Sequence, residues 1–272
     1  MAVGPSSRLV EGLAGPAGAI RTRFGLVLLL LAFAGSGWWW TAREMGGMDS
    51  GPWTTLGSFG WFAGVWTVMM AAMMLPSVAP TVALYARMTR TPYAPVAFTA
   101  GYLMLWAAAG MLAFALAAGV HGLNAHALGW DRAGRPAAAA TLLAAAAYEI
   151  TPLKDICLGK CRSPLGFLLG AWRDGWSGGL RMGATNGAWC IGCCWALMAG
   201  LFALGVMSIV WMALVAGLIA LEKTLPWRRT ANYTTVAVLV ALGVLLLAAP
   251  DAVPGLTQPR GSQMPSMSSP NG

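Results

Sequence analysis

The chain has 272 residues, of which 58% are hydrophobic and 10% charged, and its mean hydropathy is +0.65. That leaves too little polar surface for an ordinary globular domain. The formal net charge of +8 comes from basic residues scattered between apolar runs, not from one patch, so it argues against nucleic acid and for orientation in a lipid bilayer.

A helix needs about 20 apolar residues to cross a hydrocarbon layer of ~30 Å, and seven runs suit that role: 24–41, 57–76, 96–120, 134–151, 185–205, 207–222 and 232–250. The expected fold is therefore all-α, a polytopic transmembrane bundle of about seven helices. In the first run, Arg21 and Arg23 precede Phe24 to Leu31, and Ala32-Phe33-Ala34 resembles a cleavage site. The apolar run continues through Trp38, Trp39 and Trp40, which favours a retained anchor; cleavage would leave six helices. The second run meets Pro76 and Pro80, the sort of broken backbone that can line a pathway. Between the fourth and fifth runs, 163–182 reads as an amphipathic stretch lying at the interface. Residues 205–208 leave room only for a tight hairpin between the fifth and sixth, unless the pair is one bent or re-entrant element. In outline, 1–23 is expected to be a cytoplasmic segment, 24–250 the transmembrane domain and 251–272 a disordered tail rich in Pro, Ser and Gly.

Basic residues are retained on the cytoplasmic side. With the N-terminus inside, thirteen fall on inner segments: Arg8, Arg21 and Arg23, then Arg87 and Arg90, then Lys154, Lys160, Arg162, Arg173 and Arg181, then Lys223, Arg228 and Arg229. Four fall outside: Arg43, Arg132, Arg135 and Arg260. The expected setting is a bacterial inner membrane, crossed several times, N-terminus in and C-terminus out.

That topology gathers the soft donors. All five cysteines lie in two clusters, Cys157-Leu-Gly-Lys-Cys161 just past the inner end of the fourth run, and Cys190-Ile-Gly-Cys193-Cys194 near the inner end of the fifth. On a helix Cys190, Cys193 and Cys194 stack at i, i+3 and i+4, with Met198 one turn beyond Cys194. Their odd number and lack of a secreted setting argue against a disulfide framework. The second run adds Met69, Met70, Met73 and Met74, two i, i+4 pairs able to hand a soft cation along a helix, although methionine also fills irregular cores. Glu222 and Lys223, with Glu149, fall at the same inner boundary, where ionisable groups are expensive unless paired or functional. His121, His126 and Asp131 read as a solvated outer loop, and Met45, Met48, Met264 and Met267 give only a weak metal signal.

Thiolate and thioether donors without a histidine or carboxylate cluster favour Cu(I), with zinc second and hard cations disfavoured. The residue after Cys193 is Cys194, not the histidine that covalent haem attachment needs. The expected metal ligands are Cys157, Cys161, Cys190, Cys193, Cys194, Met69, Met70, Met73, Met74 and Met198, supported by Glu222 and Lys223.

The chain also resembles a bacterial family described as predicted metal-binding integral membrane proteins of unknown function. The resemblance rests on Met69-Met-Ala-Ala-Met-Met-Leu-Pro-Ser-Val-Ala-Pro80, on Thr151 to Leu168 with its two cysteines, on Gly187 to Met198, on Gly205 to Met212 and on Glu222-Lys-Thr-Leu-Pro-Trp227. It implies membrane location, an all-helical fold and a metal site, sometimes framed as copper handling, and it brings no reaction. The leading expectation is a soft-metal binding or handling membrane protein, with a metallochaperone or a larger membrane complex as possible partner. Two alternatives are an accessory structural subunit packed through Gly and Ala, and a membrane thiol-disulfide protein using Cys190 and Cys193. No paired carboxylates, Ser/His/Asp set or phosphate loop supports a hydrolase or a nucleotide enzyme.

Overall fold

The computed structural model describes residues 16–45, 58–124, 134–204, 208–225 and 227–249. Among these there are nine helices and no strand. In chain order they are α1 (Pro16–Met45), α2 (Phe59–Met88), α3 (Ala94–Asn124), α4 (Arg135–Glu149), α5 (Pro152–Cys161), α6 (Pro164–Ala171), α7 (Gly175–Leu204), α8 (Ile209–Thr224) and α9 (Arg228–Ala248). Over its described residues, each of the seven apolar runs falls mainly on one helix of 15 residues or more. Four segments are long and apolar enough to cross a membrane: Phe59–Met88, Ala94–Gly119, Gly175–Leu204 and Arg229–Ala248. By contrast α4 and α8, with 15 and 16 residues, reach only about 22–24 Å at ~1.5 Å per residue.

Two sequence expectations differ from the structure. Helix α2 does not break at Pro76 or Pro80 but runs on to Met88. Each proline removes one backbone donor, and packed neighbours hold the remaining turns together. The stretch 163–182, read as one amphipathic segment, is divided between α6 and the first turns of α7. Proline biases its predecessor away from helical backbone, so Thr151-Pro152 and Ser163-Pro164 divide the chain into the short helices α5 and α6. Gly175, at φ 80°, then starts a helix ten residues earlier than the run at 185–205 suggested. The hairpin region 205–207, the cytoplasmic segment up to residue 15, the tail from 250, and His126 and Asp131 lie outside the described residues, as does the side chain of His121.

Helix α7 is the axis of the bundle, packed along α3 and also against α4 and α5. The α3 contact is close because glycines face it. A Cβ on Gly101 would overlap the Leu180 carbonyl, and one on Gly183 the Phe98 carbonyl, so small residues here set the interhelical distance. Around α7 sit α2, whose Trp66 stacks between Phe62 and Phe202, and α8. Helices α4 and α9 pack as a pair. The Trp66 Nε1–H donates to the Trp106 carbonyl of α3 at 2.9 Å, satisfying the indole inside the core.

Candidate metal centre

Helix α5 begins at a Thr151 N-cap whose hydroxyl accepts from the Lys154 N–H. From there Lys154, Cys157, Leu158 and Cys161 follow at i, i+3, i+4 and i+7, the spacing of one helical face. That face turns inward: Lys154, Cys157 and Leu158 are buried and Cys161 is partly so, while Leu153 and Ile156 on the other face are exposed. The stripe meets α7 at Gly192, where a Cβ would stand 2.7 Å from the Cys157 Sγ. Glycine at that position lets α5 lie against the cysteine turn of α7. The Tyr148 hydroxyl donates to the Gly192 carbonyl at 2.6 Å and ties α4 to the same turn.

The result is a thiol cluster drawn from two separated motifs. The Sγ atoms of Cys161, Cys190 and Cys193 all lie within 4.8 Å of one another. Cys193 Sγ is 3.7 Å from Cys161 Sγ and 3.3 Å from Cys194 Sγ. Two sulfurs bound to one ion at about 2.3 Å each can stand no farther apart than about 4.6 Å, so this spacing suits a shared soft ion with little movement. Cys190, Cys193 and Cys194 are buried, and Cys161 is half-exposed. Burial raises the Cys157 thiol above its ordinary pKa, and a hydrogen bond to Cys190 is the main cause of a raised value at Cys161. A metal ion displaces such protons when it binds.

The remaining expected residues divide. Lys223 reaches the cluster directly, its Nζ 3.1 Å from Cys190 Sγ and 3.1 Å from Ser77 Oγ. Glu222, the preceding residue, points away and bonds Lys154 Nζ at 2.7 Å. Cys157 stands under Gly192 beside the three-thiol group. Met198 is buried one turn past Cys194. Met69, Met70, Met73 and Met74 are buried in α2, and Ser77, one turn past Met73, is the point where that helix touches the cluster through Lys223.

Sequence reasoning did not find Tyr102, whose hydroxyl lies 3.0 Å from Cys190 Sγ, nor Ser77. A lone aromatic in an apolar helix carries no spacing signal. Lys154 was counted as an inner-loop charge, yet its side chain is wholly buried between Glu149 and Glu222. The carboxylates outweigh the cost of burial and hold its ammonium above the ordinary lysine pKa.

An all-helical bundle enclosing a group of thiols is a soft-metal-binding architecture. The chain belongs to the copper chaperone family PpoB2, whose model matches residues 63–246, more than half its length and all of the site just described. No curated protein and no solved structure matches it.

Proposed function

We propose that this protein is a multi-pass membrane copper chaperone that takes up Cu(I) on Cys161, Cys190 and Cys193 and passes it to an acceptor protein. The observation that carries this reading is the convergence of three thiols, from motifs about thirty residues apart in sequence, to within 4.8 Å of one another. Thiolates select Cu(I) over hard cations, with zinc the second choice. Cys194 and Cys157 stand next to the three thiols, and Met198 and the α2 methionines are buried in the same core. Lys223 supplies a positive charge that offsets the negative charge thiolates gather around a monovalent ion.

The membrane setting is supported by the apolar side chains on the outside of the helices. Leu28, Leu29 and Phe33 of α1, Met104, Leu112 and Leu116 of α3, and Val244 and Leu247 of α9 are each exposed. Exposed apolar side chains repeated along three long helices suit hydrocarbon, not water. The proposed setting is a bacterial inner membrane with the N-terminus in the cytoplasm and the thiol cluster at the cytoplasmic end, as the basic residues direct.

Copper analysis of the purified full chain tests the reading. The wild type is expected to bind Cu(I) stoichiometrically under a competing chelator, and Cys190→Ser combined with Cys193→Ser to lose it. Equal copper in both would exclude these thiols as the site. A thiol-disulfide role draws on the 3.7 Å between Cys161 and Cys193 sulfurs; it would be favoured if those two oxidise reversibly while no metal is retained.

A further inference from the structure

A second buried polar cluster lies beside the thiols and takes no part in holding a soft ion. Lys154 Nζ donates to Glu222 Oε2 at 2.7 Å and also pairs with Glu149 Oε2. The lysine and both carboxylates are almost completely removed from solvent. Two carboxylates and one ammonium leave one net negative charge. An unneutralised charge in a protein interior costs several kcal/mol, and a buried carboxylate relieves it by taking a proton.

The acceptor side is unfilled as well. Glu149 Oε1, Glu222 Oε1 and Asn232 Oδ1 are buried without a hydrogen-bond partner, although the Asn232 amide donates to the Glu149 carbonyl at 3.5 Å. Glu149 and Asn232 line a cavity of about 850 Å³ together with Asp155, Trp227, Arg229 and Tyr233. Of the three acceptor residues, Glu149 and Asn232 lie on the cavity wall, and buried acceptors beside a space large enough for water call for a donor. A hard metal cation would need oxygen ligands on several sides and would stand beside the Lys154 ammonium. A proton needs one oxygen.

We propose that Glu149, Lys154 and Glu222 form a proton-loading site, in which the two carboxyl groups hold one proton between them and exchange it with water in the cavity. In uptake, an O–H bond of a hydronium breaks, an O–H bond forms at Glu149 Oε1, and a water molecule is left behind. The cluster goes from one net negative charge to none. The groups that set its affinity come from every neighbouring helix. Helix α5 brings Lys154 and Asp155. The Arg162 guanidinium, just past it, is engaged by the backbone carbonyls of Glu222 and Leu225. From α8 comes Lys223, turned to Cys190 and Ser77; from α9 come Arg229 and Tyr233 on the cavity wall. Helix α4 adds the Tyr148 hydroxyl, bonded to Gly192, and α7 adds the cysteine thiols. The proposal stands on the charge count and the cavity, and does not depend on what the thiols bind.

Infrared spectroscopy of the purified full chain at neutral pH, with no metal added, tests it. The wild type is expected to show the carbonyl band of one buried protonated carboxyl, moved by transfer to heavy water. Glu149→Gln and Glu222→Gln each leave one carboxylate balanced by Lys154, so each should abolish the band. Lys154→Met leaves two uncompensated carboxylates and should double its amplitude. A wild-type spectrum without the band overturns the proposal, as does a band insensitive to heavy water or one that survives either glutamine variant. A band that appears only when sodium is replaced by choline would assign the site to a metal cation and overturn it too. Either glutamine variant that folds suffices to assign the band, and a wild-type spectrum without it overturns the proposal even if neither folds.

Discussion

At the scale of single residues, the thiol cluster is held by side chains from four helices, with Lys223 and Tyr102 each reaching Cys190. Two motifs in one chain announce a thiol site because free cysteines rarely cluster by chance in apolar helices. Nothing in the spacing of Tyr102 or Ser77 announces that they touch it, since each lies on a helix that carries no cysteine and meets its partner only after packing, whereas Lys154, three residues before Cys157 on the α5 stripe, was within reach of a spacing argument. Lys223 shows how this matters. Its ammonium, 3.1 Å from Cys190 Sγ, is a charge-assisted donor of a kind worth about 1.5–3 kcal/mol. Lys223→Met keeps the stem and removes the charge, so Cu(I) affinity is expected to fall about tenfold or more, equivalent to at least ~1.4 kcal/mol, measured by chelator competition. Unchanged affinity would show that the lysine only fills space. Glu222 and Lys223 were paired in the sequence reading as one supporting unit. In the structure they face different clusters, because neighbouring residues on a helix are turned about 100° apart.

At the scale of elements, hydrophobic runs located the helices, but turn chemistry set their limits. The Ser163-Pro164 pair that separates α5 from α6 was visible in the sequence, at the head of the stretch read as amphipathic. The close contact of α3 with α7 depends on Gly101 and Gly183, each opposite a backbone carbonyl of the other helix. A carbonyl cannot rotate away as a side-chain tip can. Gly183→Ala is therefore expected to lower stability by about 1–3 kcal/mol through overpacking. Gly64→Ala, with nothing within 4 Å of its added Cβ, should be neutral or slightly stabilising, as a helical alanine usually is. Thermal unfolding of the two variants in the same detergent checks the contrast; equal midpoints would refute the tight α3–α7 contact.

At the scale of the whole molecule, composition gave the helical class, while the division into spans is less regular than seven equal runs. Helices α4 and α8 are short for a bilayer, and their ends are where Glu149 and Glu222 meet Lys154. Shortness there is what brings charged groups from two helices and the α5 stripe to one level. Two outcomes are expected of the intact protein. It should stay with the membrane fraction after an alkaline carbonate wash and leave it only in detergent. Deletion of residues 251–272 should leave copper binding unchanged, because the described site is built from residues between 77 and 223; a loss of copper on deletion would place a ligand in the tail.

The uneven exposure of the thiols also bears on how cargo would travel. Four cysteines are sealed in the bundle, and Cys161 has one open side. An incoming donor or acceptor would meet Cys161 first, so an ion would change hands by stepwise ligand replacement, one sulfur joining before another lets go. On that route the bare cation is never set free, and the half-open cysteine is the doorway through which both loading and delivery would run.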